Sequence, residues 1–137
     1  MTMRQHLLRF PATLAGLEET TGTLSKILDD RGVDDGARYH VELVFEEVAA
    51  NIVRYGSPTG EIEAAVRFDD DEIVLTFEDD GVPFDPRRRS DPALPSSIDE
   101  APVGGLGLVL LRTVVTRMTY ERTQQERNLL TLAIPAR

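Results

Sequence analysis

The spacing of apolar residues along this chain switches repeatedly between two and about 3.6, and each switch marks an element. Residues 5–10 alternate, with His6, Leu8 and Phe10 on one side and Leu7 and Arg9 on the other, which predicts an opening strand interrupted by Pro11. From about 13 to 30 the period lengthens. Leu14, Leu17, Leu24, Ile27 and Leu28 fall at helical spacing, and residues 31–36 then read as a turn. A second helix is predicted over about 37–55. Stepping about 100° per residue from Val41 gathers Val44, Phe45, Val48, Ile52 and Tyr55 into one broad stripe. Glu42 and Glu46 lie on one flank of that stripe, Glu47 and Asn51 together on the other. Alternation returns in 61–68 (Ile62, Ala64, Val66, Phe68) and 72–79 (Ile73, Leu75, Phe77), joined as a hairpin by Asp69-Asp70-Asp71. Residues 80–103 carry five of the eight prolines and no periodic apolar pattern, and read as a long loop. A third helix is predicted from Gly104-Gly105 to about 117, followed by strands at about 118–124 and 128–134. Neither a repeat nor a linker divides 1–137, so the pattern predicts a single α+β domain, a two-layer sandwich.

Composition narrows the choice of function. The 137 residues suffice to bury a core, and the net charge of −9 argues against a nucleic-acid partner, whose phosphate backbone needs a basic face. A single nucleotide stays compatible, because a metal ion and a few dipoles neutralise it. Without cysteine there are no disulfides or thiolate metal sites. The longest apolar run, 108–111, falls far short of the roughly 20 residues needed to cross a bilayer. Arg4 and Arg9 bracket too few apolar residues for a signal peptide. The expectation is a cytoplasmic protein with no membrane partner.

Three segments carry chemistry. Glu47 and Asn51, spaced i,i+4, are neighbours on a helix. The amide oxygen of Asn51 suits Mg²⁺, which keeps several waters and takes other ligands from phosphates. The Glu47 carboxylate suits a general base. Taken alone, the pair is also an ordinary boundary of an amphipathic helix. In the second segment, Asp79-Asp80-Gly81-Val82-Pro83-Phe84-Asp85-Pro86, alternation points Asp79 inward with Ile73, Leu75 and Phe77, and Asp80 outward. A buried carboxylate needs a donor, and the exocyclic amine of adenine is one. Gly81 would let the base approach the backbone closely. Taken alone, this is an Asp-Gly turn. The third segment, Gly104-Gly105-Leu106-Gly107-Leu108, opens a helix and offers backbone N–H groups and the helix dipole to an anion. No G-K-[ST] follows it, so it is not a Walker A loop. The long loop between the second and third segments is a lid candidate, and its Arg87-Arg88-Arg89 run either meets phosphates or is simply solvated.

In this order and spacing the segments resemble the N, G1 and G2 boxes of the Bergerat ATP-binding fold, the GHKL superfamily of gyrase, heat-shock chaperone ATPases, histidine kinases and mismatch-repair proteins. Phe45-Glu46-Glu47-Val48-Ala49-Ala50-Asn51-Ile52-Val53-Arg54-Tyr55-Gly56 is similar to the N box of RsbW-type anti-sigma-factor kinases, and the Pro83-Phe84-Asp85-Pro86 tail resembles that of their G1 box. The resemblance implies a mixed, mainly antiparallel sheet packed on three helices, with an ATP lid at about 82–103. It implies Glu47 as general base, Asn51 as Mg²⁺ ligand and Asp79 as adenine reader, with Gly81, Gly104, Gly105, Leu106, Gly107 and Leu108 around the ATP. Asn128, heading the last strand, stands where many relatives carry a threonine near adenine. The implied function is a serine/threonine kinase that binds a sigma factor, phosphorylates a STAS-type anti-anti-sigma protein and often forms a homodimer. His6 and His40 lack the setting of a phospho-accepting histidine. Two other readings compete: a non-catalytic ATP-dependent switch that sequesters a partner, and an α+β domain with no nucleotide site, for which all three motifs must be accidental.

Overall fold

The computed structural model describes residues 5–56, 58–86 and 111–137. Within them the chain runs β1 (Gln5–Pro11), α1 (Leu14–Asp30), α2 (Asp35–Asn51), a π-helical turn (Ile52–Gly56), β2 (Glu61–Phe68), β3 (Glu72–Asp79), β4 (Arg117–Arg122) and β5 (Asn128–Pro135). The strands form one sheet in the order β1-β2-β3-β5-β4. Where a mixed sheet was expected, each described pairing is antiparallel. The class is α+β, with the helices laid on one face of the sheet.

Local chemistry sets the helix ends. The Thr13 hydroxyl accepts from Gly16 N at 3.0 Å and caps α1. A Cβ on Gly16 would lie 2.5 Å from the Pro11 carbonyl oxygen, so the tight β1–α1 junction requires glycine there. At the other end Gly32, with φ of 65°, lets Gly32 N reach Asp29 O (2.9 Å) and Val33 N reach Leu28 O (3.1 Å). Those two bonds satisfy the last carbonyls of α1 as a Schellman motif. Helix α2 begins at Asp35, inside the stretch expected to be a turn, since an acid in the first turn faces the positive end of the helix dipole.

The core lies between sheet and helices. Phe45 of α2 packs between Phe10 of β1 and Phe77 of β3, with ring centroids at 6.1 and 5.1 Å. Burial of such a ring is worth roughly 1.5–3 kcal/mol. These contacts pin α2 over the middle of the sheet and so fix where Glu47 and Asn51 project. Two expected core residues are exposed instead: Leu14, in the first turn of α1, and Tyr55. Tyr55 lies in the π turn, which is wider than an α turn and advances each residue by less than 100°, so it leaves the stripe drawn from α-helical spacing. Ala65, Val74 and Ala133, on the opposite sheet face, are also buried. Val74 and Ala133 stand between Arg67 and Arg117 in one cross-strand row, whose aliphatic stems offer cover.

Of the third helix, expected over 104–117, residues 111–114 are helical and 115–117 are not, while 104–110 lie outside the described residues. Val115 N donates to Leu111 O at 2.8 Å, and Thr116 N already donates to Ala133 O at 2.9 Å. The chain therefore passes into β4 at Arg117, earlier than periodicity suggested.

Candidate functional site

Asn51 closes α2 just where the hydrogen-bond pattern widens into the π turn, a local irregularity common at functional sites. The residue is 2% exposed, and its Oδ1 has no hydrogen-bond partner among the described residues. Such an orphan acceptor costs about 1–3 kcal/mol unless a ligand satisfies it. It lines a mainly apolar cavity together with Val48, Ile52, Gly56, Asp79, Leu111 and Asn128. Glu47, one turn earlier, is half-buried and lies outside that lining. Its carboxyl is pushed above the usual range first by burial and further by the neighbouring Glu46, while Arg54 in the π turn opposes the shift.

Asp79 ends β3 and is 3% exposed on the helix side of the sheet. Its Oδ1 accepts from Gly81 N at 2.8 Å and from Asn128 Nδ2 at 3.1 Å. Asn128 sits directly opposite it on β5. Among the described residues, no hydrogen bond reaches Asp79 Oδ2 from a protein donor. Gly81 has a structural reason of its own. A Cβ there would lie 2.2 Å from the Gly56 carbonyl oxygen and 2.8 Å from Asp79 Oδ1, and Val82 N donates to that same Gly56 oxygen at 2.8 Å. Protein backbone therefore already demands glycine at 81, before any base is considered. Asp80, facing outward, accepts from the Thr59 hydroxyl, from Thr59 N at 2.9 Å and from Gly60 N at 3.3 Å. These donors, the hydroxyl first, hold its carboxyl below the usual range. Asp80 thus ties the turn after β3 to the start of β2, while Asp79 faces the cavity.

The fold brings together Asn51, Asp79 and Asn128 around one cavity, with Glu47 beside it and Gly81 behind Asp79. Gly104, Gly105, Leu106, Gly107 and Leu108 lie outside the described residues, as do Arg87, Arg88, Arg89 and most of the lid at 82–103. Sequence reasoning missed Tyr120 and Arg122 of β4. The Tyr120 hydroxyl donates to Asn128 Oδ1, and Arg122 Nη1 donates to Gly81 O at 2.8 Å. The signal that places them is register: the turn between β4 and β5 sets Tyr120 opposite Leu130 and Arg122 opposite Asn128.

The histidine kinase-like ATPase domain family matches residues 10–134 of this chain. The serine/threonine-protein kinase BtrW of Bordetella bronchiseptica strain RB50 is 32% identical over 88 residues. That region is 62% of this chain and 62% of the relative, so the match spans less than two thirds of the kinase's length. A chain from the SiaB–SiaC complex of Pseudomonas aeruginosa superposes with a TM-score of 0.68 at 17% identity, over 94% of this chain and 88% of that one. At that identity the likeness is one of fold.

Proposed function

This chain belongs to the histidine kinase-like ATPase domain family, and from that premise we propose that it is an Mg-ATP-dependent protein serine/threonine kinase, an anti-sigma regulator acting on a STAS-type anti-anti-sigma protein. The observation that carries the reading is the pairing, in one buried cavity, of an amide oxygen without a partner (Asn51) and an inward carboxylate with one oxygen uncommitted (Asp79). By its chemistry the amide oxygen suits a Mg²⁺ ligand, and the carboxylate oxygen suits the 6-amino group of adenine. The BtrW likeness supports the kinase assignment, and the fold shared with a chain of a two-protein assembly supports a protein partner.

In this reading Asp79 would accept a hydrogen bond from the 6-amino group of adenine, and Asn51 Oδ1 would be the protein ligand to Mg²⁺. Among the described residues no group of three His, Asp or Glu side chains could hold a metal unaided. A single amide suffices for Mg²⁺, which retains waters and shares phosphate oxygens. Once bound there, the ion supplies charge neutralisation at the phosphates. Glu47 orients the incoming serine or threonine hydroxyl and takes its proton, and burial raises its proton affinity for that task. Phosphoryl transfer is mostly positioning and charge stabilisation, so few side chains are needed. The glycines of 104–108, outside the described residues, are the proposed phosphate contacts, and 82–103 the proposed lid. A sigma factor is the second partner, the homodimer is the assembly and the cytoplasm is the compartment. Among the described residues, no helix is long and apolar enough to cross a membrane.

The test is incubation with ATP labelled at the γ-phosphate and STAS-fold proteins. Expected is Mg²⁺-dependent label on a serine or threonine, lost in Glu47→Gln. Tight ATP binding without transfer to any such protein would replace the kinase with a purely ATP-dependent binding switch.

A further inference from the structure

At the end of the sheet that forms the site, three polar residues stand in one cross-strand row. Arg122 of β4 faces Asn128 of β5, which faces Asp79 of β3. Asn128 is 5% exposed, and both ends of its carboxamide are engaged. Nδ2 donates to Val82 O at 2.8 Å, Asp79 Oδ1 at 3.1 Å and, more weakly, Gly81 O at 3.4 Å. Oδ1 accepts from the Tyr120 hydroxyl, from Arg122 Nη1 at 3.2 Å and from Phe84 N at 3.4 Å. A carboxamide has two N–H donors and two acceptor lone pairs, so this one has no hydrogen-bonding capacity left for a ligand.

Its orientation is unambiguous. Every partner on one side is an acceptor and every partner on the other a donor. Turning the amide over would set its oxygen against the Asp79 carboxylate and its N–H groups against the Arg122 cation. That cation draws charge toward Oδ1 and makes Nδ2 a better donor to Asp79. With Oδ1 of Asp79 held by Asn128 and Gly81 N, the carboxylate cannot turn without breaking both bonds.

We propose that Asn128 is a positioning residue that makes no hydrogen bond to the nucleotide, and that Tyr120, Arg122 and Asn128 together lock Asp79 so that its other oxygen is presented to a purine 6-amino group. Base choice in this protein is then set by a polar row reaching to the edge strand rather than by Asp79 alone. The inference rests on Asp79 being the adenine acceptor, and the experiment separates the two claims.

Dissociation constants of the full chain are measured for Mg-ATP and for the Mg-triphosphate of purine riboside, which carries hydrogen at C6 in place of the amine. The unaltered protein should prefer ATP by roughly 10- to 100-fold, the range for one hydrogen bond to a charged acceptor. Asn128→Ala should bring that ratio to within about threefold of unity, with Arg122→Met and Tyr120→Phe intermediate, by loss of ATP affinity alone. A residue that only supports the fold, or one that itself touches the ring, would weaken both nucleotides by the same factor and leave the ratio unchanged, which overturns the proposal. If Asn128→Ala does not fold, Arg122→Met on the exposed edge strand tests the proposal by its intermediate fall in that ratio. An unaltered protein that fails to distinguish the two nucleotides overturns the Asp79 reading and this one together. Discrimination that survives in every variant overturns this one alone.

Discussion

Glu47 and Asn51 are one helical turn apart, yet their surroundings give them opposite thermodynamic characters. Asn51 holds a buried acceptor with nothing to lose, since its Oδ1 has no partner among the described residues. Asn51→Leu, of the same branched shape, should therefore leave the melting temperature of the ligand-free protein unchanged or raise it, relieving a desolvation cost of about 1–3 kcal/mol. Calorimetric titration should at the same time show that Mg²⁺ no longer strengthens ATP binding. Glu47 is a partly buried carboxylate whose proton is held more tightly in the folded state than in the unfolded one, through burial first and Glu46 second. Its base form prevails only above that raised value, so the acid limb of the transfer rate should lie above the ordinary carboxylate range. Stability has the opposite sign. The folded state binds the extra proton, so the contribution of Glu47 falls as pH rises from the ordinary value through the raised one. Glu47→Gln should thus melt slightly higher at neutral pH, with the gain vanishing in acid, while losing roughly 10²–10⁴-fold in transfer rate. A rate unchanged in that variant would remove Glu47 from the chemistry.

Among the elements, the turn after β3 is where strand, helix end and site are bound together. Gly56 closes the π turn, and its carbonyl oxygen receives Val82 N while standing 2.2 Å from where a Cβ on Gly81 would be. Gly81→Ala must push the two turns apart, and should cost about 1–3 kcal/mol as an overpacking change with loss of ATP binding, both read by thermal melts with and without nucleotide. Gly22 provides the contrast. It sits on the exposed side of α1 with nothing within 4 Å of an added Cβ, and Gly22→Ala should stabilise by roughly 0.5–1 kcal/mol through helix propensity with no effect on nucleotide affinity. If both alanines behaved alike, steric contact between the two turns would not be what requires glycine at 81.

At the scale of the molecule, the site is assembled from α2, the turn after β3, β5 and the residues around Leu111, elements far apart in the chain and held by one core. Ligand and core stability are therefore linked. Mg-ATP at about 100 times its dissociation constant adds about 2.7 kcal/mol, which for a domain of this size should raise the melting temperature by roughly 10 °C. No shift at any nucleotide concentration would contradict the ATP reading outright. Phe45, lodged between Phe10 and Phe77, anchors to the sheet the helix that carries Asn51. Phe45→Ala should cost about 3–5 kcal/mol and blunt the nucleotide-induced shift, because α2 loses a contact that holds it to the sheet carrying Asp79.

The chain alone settled the strands and the first two helices, because periods of two and 3.6 are written directly in where apolar residues fall. It also settled that Asp79 points inward, since alternation decides which face a strand residue takes. Two kinds of fact lay beyond it. The exposure of Tyr55 depends on a π turn, where the backbone advances at a different angle and one-dimensional periodicity loses phase. The engagement of Asn128 by Tyr120 and Arg122, like the contact that makes Gly81 obligatory, depends on which strands and turns become neighbours. Pairing and close approach are properties of the folded chain, fixed by core packing among residues distant in sequence, and no local pattern encodes them.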